Sequence, residues 1–319
     1  MLIGALTIRL ALLAACAVVA PPEEPAMASP SLSWSPRALA SDGAWVLVLD
    51  DRGHVLWWRW PDAPHGVVSA HTSAGPVASG ATLLTTGGWD PTVHAWVGGG
   101  AAPAGTWRPF DGRVVGVCAE GGGFWVLGSD RSDAPTQKEE LPLAPAALAH
   151  IDAGGVVTRH DVGLTGRGAA IACGPGWVAA VDREAPTALR TLVDGAVGVT
   201  TLPANPSTLA GRGAVVLAAD ASGLRAVDPR THEVVTLAKW DAASPTVLAL
   251  LPVGDVVLGA TSAGVAVWPG GAMWRRGSSS PVALAPRGDG ALVLWDDGVI
   301  EERDVTGVVR ASHPTPRGP

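Results

Sequence analysis

Short apolar runs separated by turns rich in Gly and Asp fill the chain from about residue 37 onward, and the runs are too brief for helices. They group into a unit: an apolar strand, a Gly-containing turn, a second apolar strand, an Asp or Gly turn, then two more strands. The unit recurs seven times. Its first strands begin near Arg37, Pro76, Val114, Gly168, Ser207, Thr246 and Pro281, evenly spaced except for one long interval between Val114 and Gly168. Second strands align as Ala44 to Leu49, Thr82 to Thr86, Phe124 to Gly128, Trp177 to Val181, Ala214 to Ala218, Asp255 to Gly259 and Ala291 to Trp295. Trp45, Trp125 and Trp177 take matching places in three of them. Fourth strands echo one another at Gly66-Val67-Val68, Gly155-Val156-Val157 and Gly307-Val308-Val309, with Glu233-Val234-Val235 as a variant.

A single four-stranded sheet cannot cover both of its faces, whereas sheets packed radially cover one another and leave short edges. The expected fold is therefore all-β, a seven-bladed β-propeller of four-stranded antiparallel blades over residues 37–313, with a disordered tail at 314–319.

Blade five carries the clearest repeat, Val216-Leu217-Ala218-Ala219-Asp220-Ala221-Ser222-Gly223-Leu224-Arg225-Ala226-Val227-Asp228-Pro229-Arg230-Thr231. It resembles the quinoprotein-type repeat, in which an Asp closing the third strand leads into a Thr-Gly turn and a docking Trp; here His232 stands for the Gly and Thr236 for the Trp. More broadly the chain is similar to the WD-repeat (WD40-like) and quinoprotein-like propeller superfamilies. The pairs Trp89-Asp90, Trp240-Asp241 and Trp295-Asp296 do not close third strands. The resemblance implies architecture and no particular chemistry.

Residues 1–20 are apolar apart from Thr7 and Arg9 and run into Pro21-Pro22-Glu23-Glu24-Pro25, the pattern of a secretory signal peptide followed by a Pro-rich tether at 21–36. Leu13-Ala14-Ala15-Cys16 resembles the lipobox of bacterial lipoproteins, which implies lipidation at Cys16. Cleavage after Ala20 or after Ala26-Met27-Ala28, and an uncleaved anchor, remain alternatives. Each of them exports the domain to the periplasm, the outer membrane as a lipoprotein, or the medium.

Composition changes little in this picture. The 319 residues are 47% hydrophobic and 16% charged, with 41 Gly, 27 Pro, 14 Trp and no Tyr, enough to build a large core. A formal charge of −7 argues against a protein that tracks nucleic-acid phosphates.

Candidate chemistry concentrates in the long interval, which places about fifteen extra residues between the second and third strands of blade three. Asp130, Arg131, Asp133, Gln137, Lys138, Glu139 and Glu140 lie there, and a long loop on a rigid scaffold is a natural binding element. Acids recur in the same kind of turn, at Asp50 with Asp51, Asp90, Asp130, Asp182, Asp220, and Asp296 with Asp297, where turn chemistry alone would select them. Duplication spreads the histidines, with His71, His160 and His313 near the ends of fourth strands and His94 and His150 in third strands. None shows metal-site spacing. Cys118 and Cys173, at the ends of neighbouring first strands, are expected as free buried thiols, because equivalent positions should point the same way around the ring. In the cluster Trp57-Trp58-Arg59-Trp60, one ring is expected to form a contact surface.

No nucleophile elbow, phosphate loop or metal motif stands out, so neither a catalytic residue nor a cofactor is assigned. The expected function is a non-enzymatic exported scaffold that binds another protein or an envelope component, and touches the membrane only through its lipid anchor. The alternative is a propeller hydrolase, lactonase or quinone-dependent dehydrogenase with its site in the central channel.

Overall fold

The computed structural model describes residues 35–62, 66–80, 82–87, 90–97, 102–130, 145–240 and 246–315. Blade one is Pro36–Ser41, Trp45–Asp50, His54–Arg59 and Gly66–Ser69 (β1 to β4). Blade two is Ala74–Ala78, Leu83–Gly87, Val93–Trp96 and Gly105–Trp107 (β5 to β8). Blade three follows with Val114–Glu120, Gly123–Gly128, Ala147–Ile151 and Val157–His160 (β9 to β12), and blade four with Gly168–Gly174, Trp177–Asp182, Ala188–Val193 and Ala196–Thr201 (β13 to β16). Pro206–Arg212, Val215–Asp220, Gly223–Val227 and Val234–Lys239 make blade five (β17 to β20). Val247–Val253, Val256–Thr261, Gly264–Trp268 and Ala272–Trp274 make blade six (β21 to β24), and Pro281–Arg287, Gly290–Trp295, Val299–Asp304 and Val309–Pro314 make blade seven (β25 to β28). Every sheet takes four consecutive strands in antiparallel order, so no strand is exchanged between blades. Inner strands touch in sequence around the ring, and β25 returns to β1. The protein is a seven-bladed β-propeller.

Burial follows from that radial packing. Seven apolar clusters fill the seven seams between neighbouring blades. Since no strand is shared, among the described residues blades seven and one meet through side chains: Leu39, Val46, Val48, Leu56, Trp58 and Trp60 pack on Ala285, Leu292, Leu294 and Ile300. Trp60 also donates its indole N–H to Glu302 Oε2 at 2.6 Å and meets the His313 ring edge-on at 5.3 Å. Trp58 and Trp60 are therefore buried in the closing seam and Trp57 packs against Trp45 at 6.0 Å, so the tryptophan cluster builds core where a contact surface was expected.

Register corrects two alignments. Inner strands β9 and β13 both open on a bulge, after which Gly116 pairs with Leu127 and Ala170 with Val181. Counted from there, Cys118 matches Ala172 and Cys173 matches Ala119. Trp125 likewise falls two places beyond the position shared by Trp45 and Trp177. A one-residue offset turns a side chain to the other face of its sheet. Cys118 and Cys173 consequently face each other across the seam, 6.0 Å apart at Cα, and form a disulfide. The expectation of two free thiols is overturned.

Candidate functional site

Of the expected loop residues, Asp130 is described. Arg131, Asp133, Gln137, Lys138, Glu139 and Glu140 lie outside the described residues, as does Cys16. Asp130 accepts two hydrogen bonds from the Arg159 guanidinium, at 2.7 and 2.9 Å, and one from the Asp111 amide at 3.1 Å. Burial works against its charge, but Arg159 and that amide outweigh it and hold the carboxyl below its ordinary range. This carboxylate fastens the start of the loop to the outer strand of its own blade.

The recurring acids are consumed in the same way. Asp50 accepts from the amides of Arg52 and His54, and Asp182 from those of Thr165 and Ala185. Asp220 binds the Ser222 amide and hydroxyl and, at 3.0 Å, Arg225. Turn chemistry accounts for these carboxylates, while Asp51 and Asp296 remain exposed on that face.

Four of the histidines come in two pairs. His71, buried between blades one and two, binds Asp90 Oδ2 through Nδ1 at 3.2 Å and Thr85 Oγ1 through Nε2 at 3.0 Å, and its ring lies 4.6 Å from that of His94. Trp96 donates to the same Thr85 hydroxyl oxygen at 2.9 Å. Burial pushes the His71 pKa down, with His94 adding to the effect against the pull of Asp90. His150 and His160 both lean on Trp125, with centroids 4.6 and 5.1 Å away. Burial and the neighbouring His150 lower the pKa of His160. Among the described residues no group of three or more His, Cys, Asp or Glu side chains is placed to hold a metal ion.

Two spaces stand out. The central channel, about 680 Å³, is walled by the inner strands with side chains such as Ala38, Val77, Val117, Ile171, Leu209 and Leu250; Arg37 is the one charged residue among its described lining, and Cys118 and Cys173 border it. The larger space, about 760 Å³, is a cleft between blades three and four. Its rims are the turn Glu120 to Gly123, the turn Gly174-Pro175-Gly176, and the hairpin Asp194-Gly195. That two-residue hairpin has φ of 48° and 84°, the left-handed pair that matches strand twist and favours Asp-Gly.

Trp125, His150 and His160 line the cleft on the blade-three side, and Trp177 and Leu192 on the blade-four side. Leu192 pairs with Val197 and Arg190 with Val199, so both valines share the Leu192 face; Val197 is 52% and Val199 46% exposed at the outer end of that wall. Glu120 ties the rims together: Oε1 accepts from the Gly176 amide at 2.6 Å and Oε2 from the Trp125 indole at 2.9 Å. Added Cβ atoms at Gly121 and Gly122 would meet nothing within 4 Å, so the rim is bare backbone open to an incoming chain. The cleft lies on the face of the first–second and third–fourth turns, opposite the face that carries the turn after Gly128.

No protein-family description matches this chain, and no curated protein does either. Among solved structures, 1122 chains match, so the architecture is a common one. The crystal structure of the computationally designed Ika8 protein is similar with a TM-score of 0.61 and 16% identity, over 90% of this chain and 89% of that one. At that identity the likeness is one of fold.

Proposed function

We propose that this propeller is a binding scaffold that receives an apolar anchor residue of a partner protein in the cleft between blades three and four. The observation that carries this reading is the cleft itself: aromatic and aliphatic walls for an anchor, and bare glycine backbone at the rim for the main chain that bears it. An enzyme of the channel kind would have Arg37 as its one charged group among the described lining residues, so the cleft is the better-supported site.

Export is part of the proposal. The apolar leader and the lipobox-like Cys16 support it, as does a disulfide, since such bonds persist in oxidising compartments. Kinship with the quinoprotein-type repeat is supported by His232, which takes φ of 64° where that repeat has its Gly. On the opposite face, the charged loop that begins at Asp130 is proposed as a second contact.

The test plugs the cleft without touching the core. Gly122→Trp projects a ring from an open rim position, and Ala221→Trp, in an exposed turn of blade five, is the control. Affinity capture from envelope extract should retain a partner on the wild type and the control and lose it on Gly122→Trp, at unchanged melting temperature. Equal capture by all three would reject the site.

A further inference from the structure

We infer that the Cys118–Cys173 disulfide controls the cleft: oxidised, it fixes the distance between the two rims, and reduced by a dithiol arriving through the central channel, it lets them part and weakens binding. The inference rests on the reading of the cleft as a binding site. Three observations carry it.

The first is position. Ala119-Glu120 follow Cys118 directly and Gly174-Pro175-Gly176 follow Cys173 directly, so the bond sits at the root of both rims. The second is how little else joins them. Among the described residues one hydrogen bond, from the Gly176 amide to Glu120, spans the rims, and the remainder of those turns is Gly and Pro with no side chain to interlock. Neighbouring seams carry one such side-chain-to-backbone bond at the same level, from Trp177 to Gly213 O at 3.0 Å between blades four and five and from Arg212 to Gly254 O at 2.9 Å between blades five and six, so the disulfide is the additional link at this seam. The third is access. Cys118, half-buried, and Cys173, 9% exposed, sit on inner strands that line the channel, so a small dithiol entering that space reaches the strands that carry the bond.

The exchange balances. A dithiol thiolate attacks one cysteine sulfur, the S–S bond breaks, and the released thiolate takes up a proton. The second thiol of the reagent then closes on the first as a cyclic disulfide and frees the other cysteine. Two electrons pass to the protein.

Anilinonaphthalene sulfonate serves as an apolar probe and dithiothreitol as the reductant. The oxidised protein should bind the probe at a site that Gly122→Trp removes. Reduction should weaken that site about tenfold, because a rim no longer held in place must be ordered on binding. Hydrogen exchange should quicken at residues 120–123 and 174–177, with far-UV circular dichroism unchanged. The double variant Cys118→Ala/Cys173→Ala should behave as the reduced protein, and reduction of the folded wild type gives the same answer if that variant does not fold. Unchanged probe affinity and unchanged exchange at the rims on reduction would overturn the control. Cooperative loss of the whole ring would overturn it too, since the bond would then be a general staple. A probe that binds Gly122→Trp as well as wild type would instead reject the binding site itself.

Discussion

His232 sits in the left-handed region with φ of 64°, where a side chain costs about 1–2 kcal/mol relative to Gly. What keeps it there is a hydrogen bond between its Nδ1 and the buried Thr200 hydroxyl at 2.9 Å, which ties blade five back to blade four. His232→Ala should lose the bond and keep the strain, whereas His232→Gly should lose the bond and relieve the strain. Denaturation should therefore rank the Ala variant below the Gly variant by about 1 kcal/mol. His71 makes a second prediction at this scale. A histidine held below its ordinary value of 6.5 binds fewer protons folded than unfolded once pH drops past that value. Its contribution is thus complete above 6.5 and drains away as pH falls toward the folded pKa. Wild type should lose stability between about pH 7 and pH 5, and His71→Gln should lose less over the same range. Asp90, held low by Thr92 and His71 against the effect of burial, contributes fully above its ordinary 3.8 and loses that contribution in the separate window below it.

The elements most exposed to single changes are the seams that cannot rely on a shared strand. Between blades seven and one, Trp60→Phe keeps most of the apolar contact and removes the N–H bonded to Glu302, a loss of about 1.5–3 kcal/mol for a bond to a charged acceptor. A fall in the denaturation midpoint checks it, and an unaltered midpoint would mean that the seam does not need the bond. Between blades three and four, the disulfide spans a separation of 55 residues, worth up to about 4 kcal/mol by chain entropy. Cys118 and Cys173 should add no titratable thiol to the denatured protein before reduction and two after. Strand placement was legible in the sequence, because apolar runs and Gly or Asp turns punctuate each blade: Arg37, Pro76 and Thr246 lie within two residues of the observed starts at Pro36, Ala74 and Val247. The disulfide turns on a one-residue offset: β9 and β13 carry the same opening bulge, and from their matching starts Cys118 lies four residues after Val114 whereas Cys173 lies five after Gly168, a difference that placing both cysteines near the ends of their strands passes over. The cleft was hidden for a related reason: Trp125, His150 and His160 come from three strands and its rim from turns of two blades, and the surviving signal is the run of glycines at 121–123 facing Gly174 and Gly176.

At the scale of the whole molecule, a ring closed by seven side-chain seams presents two faces with different equipment. One face carries the turns that use up Asp50, Asp182 and Asp220, together with Asp130. Deleting residues 131–144 should change stability by at most about 1 kcal/mol, since loop closure depends weakly on length, and should leave binding at the cleft intact. The other face carries the cleft, held by Glu120 and by the disulfide at its root. Site-specific photo-crosslinking from Val197, exposed on the Leu192 wall, tests the cleft most directly. A photoreactive residue there should join the protein to one partner in intact cells, the adduct should vanish when Gly122→Trp is added, and the same residue at Ala221 should give none. An adduct from position 197 that survives Gly122→Trp, or one that forms equally from position 221, would contradict the assignment of the cleft as the binding site.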